Sequence, residues 1–212
     1  MSLSFAEISR KNAEAFDALK AAPVAVFVGG TSSIGQGMAE VLAKHRKGRV
    51  HIVLVGRNET AATNVLDGLT KASASDISST EQLTHEFVQC DASLLKNVQS
   101  ASQRILEKYE RINYLVLSPG YFTSEREESE EGIPSTLALF YYARWKFIND
   151  LLPALHKARE GGQDARVLSV YAGGTGGKSI CSNDLGFKNS SNIGDMRTAT
   201  ATYNDLMIAV SA

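Results

Sequence analysis

The sequence predicts an α/β fold: one doubly wound parallel sheet in the strand order 3-2-1-4-5, with an extra N-terminal helix. Three observations predict it. Short β-branched runs alternate with longer helical patterns along most of the chain. Several runs are apolar at successive positions, the pattern of strands buried on both faces of a parallel sheet. The first run passes through a Gly-rich turn directly into a helical pattern.

Taken in order, residues 1–20 carry Glu7, Arg10, Lys11, Glu14, Asp17 and Lys20 scattered among apolar residues, with no continuous hydrophobic stretch. They read as an amphipathic helix, not a signal peptide, and residues 1–22 form a helical extension ahead of one domain spanning 23–212. Strands are expected at 24–28, 50–55, 86–90, 114–117 and 167–171, and helices at 34–45, 59–71, 94–109, 134–159 and 197–212. This order implies right-handed crossovers and neighbouring parallel strands. The Ser- and Thr-rich residues 72–84 read as a surface loop. Residues 125–131 pack five glutamates around Arg126 and Ser129. They read as solvated surface, with selection of a cationic substrate as the alternative.

The chain has 212 residues, 43% hydrophobic and 21% charged, with a formal net charge of -1. This suits one globular domain and gives no global field toward nucleic acid or an anionic membrane. No apolar run approaches the length of a bilayer span. Cys90 and Cys181 form neither a disulfide framework nor a metal-ligand spacing, so a cytoplasmic protein with two free thiols and no metal is expected.

The chemistry begins at the turn after residues 24–28: Gly29-Gly30-Thr31-Ser32-Ser33-Ile34-Gly35-Gln36-Gly37. Glycines let the backbone turn sharply and approach a pyrophosphate, and the free N–H groups at the helix start face that anion. The alternative is a plain strand-to-helix turn that binds nothing. In this context the turn marks a Rossmann-type, dinucleotide-binding domain. The next strand ends in Gly56-Arg57-Asn58, where an NAD-preferring site usually places Asp or Glu for the ribose 2′-hydroxyl. Arg57 instead suits a 2′-phosphate, with hydroxyl donors from Thr31 and Ser32 beside it, so NADP(H) is expected over NAD(H). An exposed arginine closing a strand is the alternative.

From about residue 23 onward these residues resemble the short-chain dehydrogenase/reductase family, and look closest to its divergent fungal members. Ser33 stands where the middle glycine of that family's turn usually sits. Cys90-Asp91-Ala92-Ser93 matches the segment after strand three whose Asp binds the adenine, and Leu117-Ser118-Pro119-Gly120 stands in place of Asn-Asn-Ala-Gly after strand four. The resemblance and the turn together imply a cofactor-binding set of Gly29, Thr31, Ser32, Ser33, Ile34, Gly35, Arg57, Asn58, Asp91, Ala92, Ser118 and Gly120.

The family's catalytic Asn, Ser, Tyr and Lys are not recognisable. Ala172 occupies the Ser slot and Phe140 lies near the Asn slot. The last lysine is Lys188, and Tyr203 is followed four residues later by Met207. Tyr142 and Lys146 do show the Tyr-x-x-x-Lys spacing, but after strand four, where two residues at i and i+4 share a helix face by coincidence. The string from Ala172 through Gly173, Gly174, Thr175, Gly176, Gly177, Lys178 and Ser179 approaches a P-loop. The next residues, 180–186, have turn chemistry and no helical period. The string therefore reads as a Gly-rich loop over the cofactor site, with a nucleotide-triphosphatase as the alternative. Members of the family continue into a sixth and seventh strand, so the resemblance implies a C-terminal truncation or a partner over the edge at 167–171.

The function expected is therefore an NADP(H)-binding oxidoreductase of short-chain type acting on a small carbonyl or alcohol, its catalytic residues unassigned. Two alternatives stand beside it: a catalytically inactive NADP(H)-binding sensor or partner subunit, and a non-redox enzyme on the same fold. The expected partners are a small-molecule substrate, no nucleic acid and no membrane. The helix 134–159, with Phe140, Tyr141, Tyr142, Trp145 and Phe147, resembles the family's dimer-forming helix and suggests a homodimer, although core packing explains an aromatic stripe equally well.

Overall fold

The computed structural model describes residues 3–17, 21–72, 83–121, 125–177, 180–190 and 192–211. Five parallel strands, β1 (Val24–Val28), β2 (His51–Gly56), β3 (His85–Gln89), β4 (Tyr114–Leu117) and β5 (Arg166–Ser169), pair in the order β3-β2-β1-β4-β5. Helices α2 (Ser33–His45), α3 (Glu59–Gly68) and α4 (Leu95–Lys108) cross between successive strands. This is the Rossmann-type winding the sequence predicts. Ahead of it stands the extra helix α1 (Phe5–Asp17), opened by a capping box. Ser4 N–H donates to Glu7 Oε2 at 2.8 Å, and Glu7 N–H donates to Ser4 Oγ at 3.3 Å.

The strand alternation builds two cores. Val26, Val28, Val53, Val55, Leu115 and Leu117 face one side of the sheet, while Ala25, Phe27, Ile52, Leu54 and Val116 face the other. All five residues of β1 are buried. That double burial is why β1 and β2 are continuously apolar in sequence. β5 lies at the edge, with Val167 40% and Leu168 46% exposed.

After β4 the long helix expected at 134–159 is three pieces: α5 (Ser135–Leu137), a π-helical turn (Ala138–Tyr142) and α6 (Ala143–Glu160). The π turn inserts one extra residue and rotates the residues before it relative to α6. The aromatic stripe is thereby divided. Phe147 enters the main core, Tyr141 and Tyr142 pack near Tyr203, and Trp145 remains 39% exposed. The last helix, α7, spans Ile193–Ser211 and starts one turn before the sequence suggests.

Other boundaries also move. β2 starts at His51 and not at residue 50, because Val50 N–H closes a turn onto Gly48 O at 2.9 Å. α3 stops at Gly68, where Leu69 swings to ψ 141. β3 and α4 each differ by one residue at both ends. β5 ends two residues early: Val170 N–H still donates to Leu117 O at 2.8 Å, but its carbonyl is taken by Arg144 at 2.9 Å. The loop expected at 72–84 lies almost wholly outside the described residues.

The acidic run 125–131 is more than solvated surface. Glu131 accepts from Leu95 N–H at 2.7 Å and Lys96 N–H at 3.0 Å, and so caps α4, whose own N-cap residue Leu94 makes no side-chain cap bond. Arg126 donates to the carbonyls of Phe187 and Ser190, tying this segment to the loop before α7. Among the described residues, no helix is long and apolar enough to cross a membrane, and no group of three or more His, Cys, Asp or Glu residues is placed to hold a metal ion.

One buried amide locks the start of the sheet. Asn113, 4% exposed, accepts from Val24 N–H at 2.9 Å and donates to Asp164 O at 2.9 Å and Gln163 Oε1 at 3.1 Å. Its removal strands a buried N–H group. Asn113→Ala is therefore expected to lower the unfolding free energy by about 2–3 kcal/mol in urea denaturation. A loss within 0.5 kcal/mol, roughly the scale of a neutral surface change, would contradict this role.

Candidate functional site

A cavity of about 780 Å³ opens at the C-terminal ends of the strands, between the ends of β1 and β4 where the winding reverses. Open α/β sheets bind ligands at this place. Its floor is the turn from β1 into α2. Gly29 adopts φ +82, and a β-carbon there would lie 2.9 Å from the Ser118 backbone. A β-carbon on Gly35 would strike the Gly29 carbonyl and come within 2.5 Å of Ser118 Oγ. Ser118 itself donates toward Val28 O at 3.2 Å and Gly29 O at 3.3 Å. Gly35 thus has a packing reason of its own, in addition to the anion approach read from sequence. Ser33, in the slot of the missing middle glycine, takes φ +50, a left-handed conformation that glycine adopts more cheaply. The N-cap residue of α2, Ser32, makes no side-chain cap bond, which leaves the first-turn N–H groups toward the cavity.

Eleven of the twelve residues expected from sequence border this cavity: Gly29, Thr31, Ser32, Ser33, Ile34, Gly35, Arg57, Asp91, Ala92, Ser118 and Gly120. Thr31 packs over Gly56, beside the exposed Arg57 at the end of β2. Asp91 Oδ1 accepts from Ser93 N–H at 3.0 Å and Ser93 Oγ at 2.7 Å, which fixes the turn into α4. Asn58 is the exception. Its side chain accepts from Ala61 N–H at 2.9 Å as the N-cap of α3, and it is not among the cavity walls. Cys90 borders the cavity, but burial pushes its thiol up to about 12, so it stays protonated and unreactive at neutral pH.

At the inner end of the cavity Arg144, Arg197 and Thr198, which the sequence reading missed, join Tyr171. Arg144, 2% exposed, donates to Leu117 O at 3.0 Å, Ser169 Oγ at 2.7 Å, Val170 O at 2.9 Å and Pro119 O at 2.9 Å. All four acceptors are neutral, and burial pulls its guanidinium down to about 10. A cation on the buried stripe of an otherwise apolar helix face was the signal that could have found it. Tyr171 stacks its ring 5.2 Å from the Arg144 guanidinium and edge-on to Phe140 at 5.7 Å. The Tyr171 hydroxyl shares a 2.5 Å hydrogen bond with the Thr200 hydroxyl. Burial raises its pKa, while Thr200, Arg144 and Arg197 work in the opposite direction. Arg197 and Thr198 of α7 complete this wall. The π turn frees the Phe140 carbonyl, which accepts from Asn204 Nδ2 at 2.6 Å.

Other residues singled out in sequence lie elsewhere. Tyr203 donates to Leu185 O at 3.1 Å from a cluster with Tyr141, outside the cavity walls. Lys146 pairs with Asp150 at 2.7 Å on α6. Of the loop that resembles a P-loop, Ala172 and Thr175 border the cavity; residues 178 and 179 fall outside the described residues. Among the described residues the next helix after this loop is α7, so none opens directly from it as a P-loop requires.

Residues 23–178 match the family described as short chain dehydrogenase. The chain is 37% identical over 171 residues to oxidoreductase AN1596 of Emericella nidulans, covering 79% of this chain and 48% of that protein. It is 39% identical over 151 residues to oxidoreductase andH of Emericella variicolor, covering 71% and 42%. The chain thus spans about half the length of these relatives. Among solved structures, a metagenomic short-chain oxidoreductase in complex with NADP superposes with a TM-score of 0.64 at 16% identity, over 90% of this chain and 75% of the other. Pseudomonas aeruginosa RhlG in an NADP active-site complex does so with a TM-score of 0.61 at 17% identity, over 91% and 68%. The fold, the turn and the two fungal relatives agree: this chain belongs to the short-chain dehydrogenase/reductase family, as a divergent member of fungal type.

Proposed function

We propose that this chain is the NADP(H)-binding core of an oxidoreductase of short-chain type that acts on a small carbonyl or alcohol. The observation that carries the reading is the crevice between β1 and β4, where Gly29 and Gly35 leave no room for a β-carbon and the first turn of α2 is uncapped. Backbone N–H groups so placed suit a pyrophosphate. Arg57, beside Thr31, suits a 2′-phosphate, and Asp91 with Ala92 suits the adenine. The NADP carried by the two solved structures supports the same choice of cofactor. When bound, the nicotinamide supplies or takes up the hydride.

The chain's own task is then the proton. Two tyrosines border the cavity. Tyr121 gives its hydroxyl to Glu127 at 3.1 Å, whereas the hydroxyl of Tyr171, at the inner end, bonds to the Thr200 hydroxyl at 2.5 Å and the Arg197 carbonyl at 3.3 Å. Tyr171 is the proton donor of this reading. Ala172 offers no hydroxyl to the carbonyl, and Tyr203 is turned toward Leu185. The outer face of α6, with Trp145 and Leu152 each 39% exposed, is the surface a homodimer would use.

NADPH is expected to bind at least tenfold more tightly than NADH, about 1.4 kcal/mol and within reach of one charge-assisted pair. Arg57→Ala should erase that preference and leave NADH affinity within twofold. Equal affinities in the unsubstituted chain, measured by quenching of protein fluorescence, would count against Arg57.

Reduction of simple ketones should be slow, at least 100-fold below the median enzyme rate of about 10 s⁻¹. The rate should also be flat between pH 6 and 9. Tyr171 donates only when protonated, and burial raises its pKa, so it remains protonated across that range. Tyr171→Phe should lower the residual rate by roughly tenfold or more, with Tyr203→Phe as the unaffected control. A rate that falls with an apparent pKa near 7 would point to another donor.

A further inference from the structure

A proton donor must hold the charge it is left with. When Tyr171 gives up its phenol proton its oxygen becomes a phenolate, and burial opposes that anion. Two side chains stand where they can offset the penalty. At the oxygen is Thr200, wholly buried on α7, whose hydroxyl lies 2.5 Å from that of Tyr171. Thr200 Oγ–H donates to Arg197 O at 2.8 Å, which leaves the Thr200 oxygen to accept from Tyr171. A hydroxyl carries one proton and can rotate it to either neighbour. Against the ring is Arg144, its guanidinium 5.2 Å from the Tyr171 ring centroid. Its bonds reach three carbonyls and a serine hydroxyl, all neutral, and among the described residues its Nε is buried without a partner. Burial pulls the guanidinium down to about 10, which leaves it a cation at neutral pH. A neutral donor would satisfy strand-end carbonyls at less cost, since a buried cation is unfavourable until an anion comes near. A Tyr171 phenolate is such an anion: Thr200, Arg144 and Arg197 all favour it. Asn204, the next polar side chain, is committed elsewhere, donating to Phe140 O at 2.6 Å and Thr200 O at 2.7 Å.

We propose that Thr200 and Arg144 are positioning residues that hold the negative charge of Tyr171 during turnover, Thr200 through its hydroxyl proton and Arg144 through its guanidinium. The inference rests on the reading of Tyr171 as the proton donor. In the reduction, a hydride from the bound nicotinamide adds to the carbonyl carbon. The Tyr171 O–H bond breaks as the O–H bond of the product alcohol forms. The Thr200 proton then turns from Arg197 O to the Tyr171 oxygen, and the phenolate becomes the counter-charge of Arg144. Water from the cavity returns a proton to Tyr171, and the resting bonds re-form. The same two residues serve the oxidation, in which the phenolate takes the proton of the alcohol.

The test replaces Tyr171 by a difluorinated tyrosine and follows its titration by fluorine NMR on the chain without cofactor or substrate. The ring fluorines acidify the phenol, so it titrates below the alkaline range in which Arg144 would lose its proton. Thr200→Val should raise the midpoint by about one pH unit, and Arg144→Gln, which keeps N–H donors but not the charge, by about one unit or more. Thr200→Ser and Arg144→Lys keep the hydroxyl and the charge, and their midpoints should stay within about half a unit of the parent. With the natural tyrosine, Thr200→Val should lower kcat for ketone reduction about tenfold and leave KM within about twofold. Thermal melts show which variants are folded. Arg144→Met is the second neutral variant, and Thr200→Val, which keeps the side-chain shape, decides the proposal if neither folds. A midpoint unmoved by Thr200→Val, or by the folded neutral variants at Arg144, overturns it. So do equal shifts in the conservative variants, which would mark the two residues as structural only. If Tyr171→Phe leaves the ketone rate unchanged, the donor reading falls alone, because the titration still shows whether the two residues hold the anion.

Discussion

A contact that two glycines make possible by lacking side chains organises the working end of this molecule. Gly29 and Gly35 bring the start of α2 against the turn after β1, and Ser118 from the end of β4 closes onto both carbonyls of that turn. Segments 89 residues apart in sequence therefore meet within van der Waals distance. The sheet reverses its winding at this contact, so a crevice must open beside it. A larger residue at Gly35 would push α2 and its uncapped first turn off the turn after β1, and one at Gly29 would push against the backbone of Ser118 and Pro119. Ser33 shows how tightly the turn is specified. It accepts a left-handed φ of +50 where glycine would cost less, because the neighbouring contacts leave the backbone no other course.

A second constraint acts deeper in. Parallel strands end in carbonyls that need donors, and at the ends of β4 and β5 one residue supplies several. Arg144 satisfies Leu117, Pro119 and Val170 and so determines where β5 stops and where Tyr171 turns into the cavity. The π turn completes the arrangement from the other side. It exposes the Phe140 carbonyl to Asn204, which anchors α7 to the start of the long helix. Polar groups thus fill a region where an apolar core would leave strand ends unsatisfied. The cost is a cation buried without a counter-charge, and that cost gives the inner end its chemical character.

Much of this was legible in the sequence, for local reasons. The strand order, the doubly buried β1 and β2, the exposed β5 edge and the Gly-rich turn with Arg57 follow from periodicity, turn chemistry and spacing along short segments, while Asp91, Ala92, Ser118 and Gly120 were reached through the family resemblance. Asn58 caps α3 instead of lining the cavity, because a residue after a strand can face a ligand or cap the next helix, and both roles prefer a short polar side chain. Glu131 was read as solvated because a carboxylate that caps a distant helix looks, in sequence, like any other surface charge.

What the sequence by itself determined is the framework: five parallel strands, the helices between them, and the anion-ready turn where the first pair begins. Each is encoded by neighbours within a dozen residues, where backbone preference and hydrophobic period dominate. The tertiary structure alone decided the inner end. Arg144, Tyr171, Arg197 and Asn204 come from three elements, and their meeting depends on how α7 packs against the π turn. No local pattern carries that information, because the partners of a buried polar group are chosen by the fold that brings them within hydrogen-bond reach.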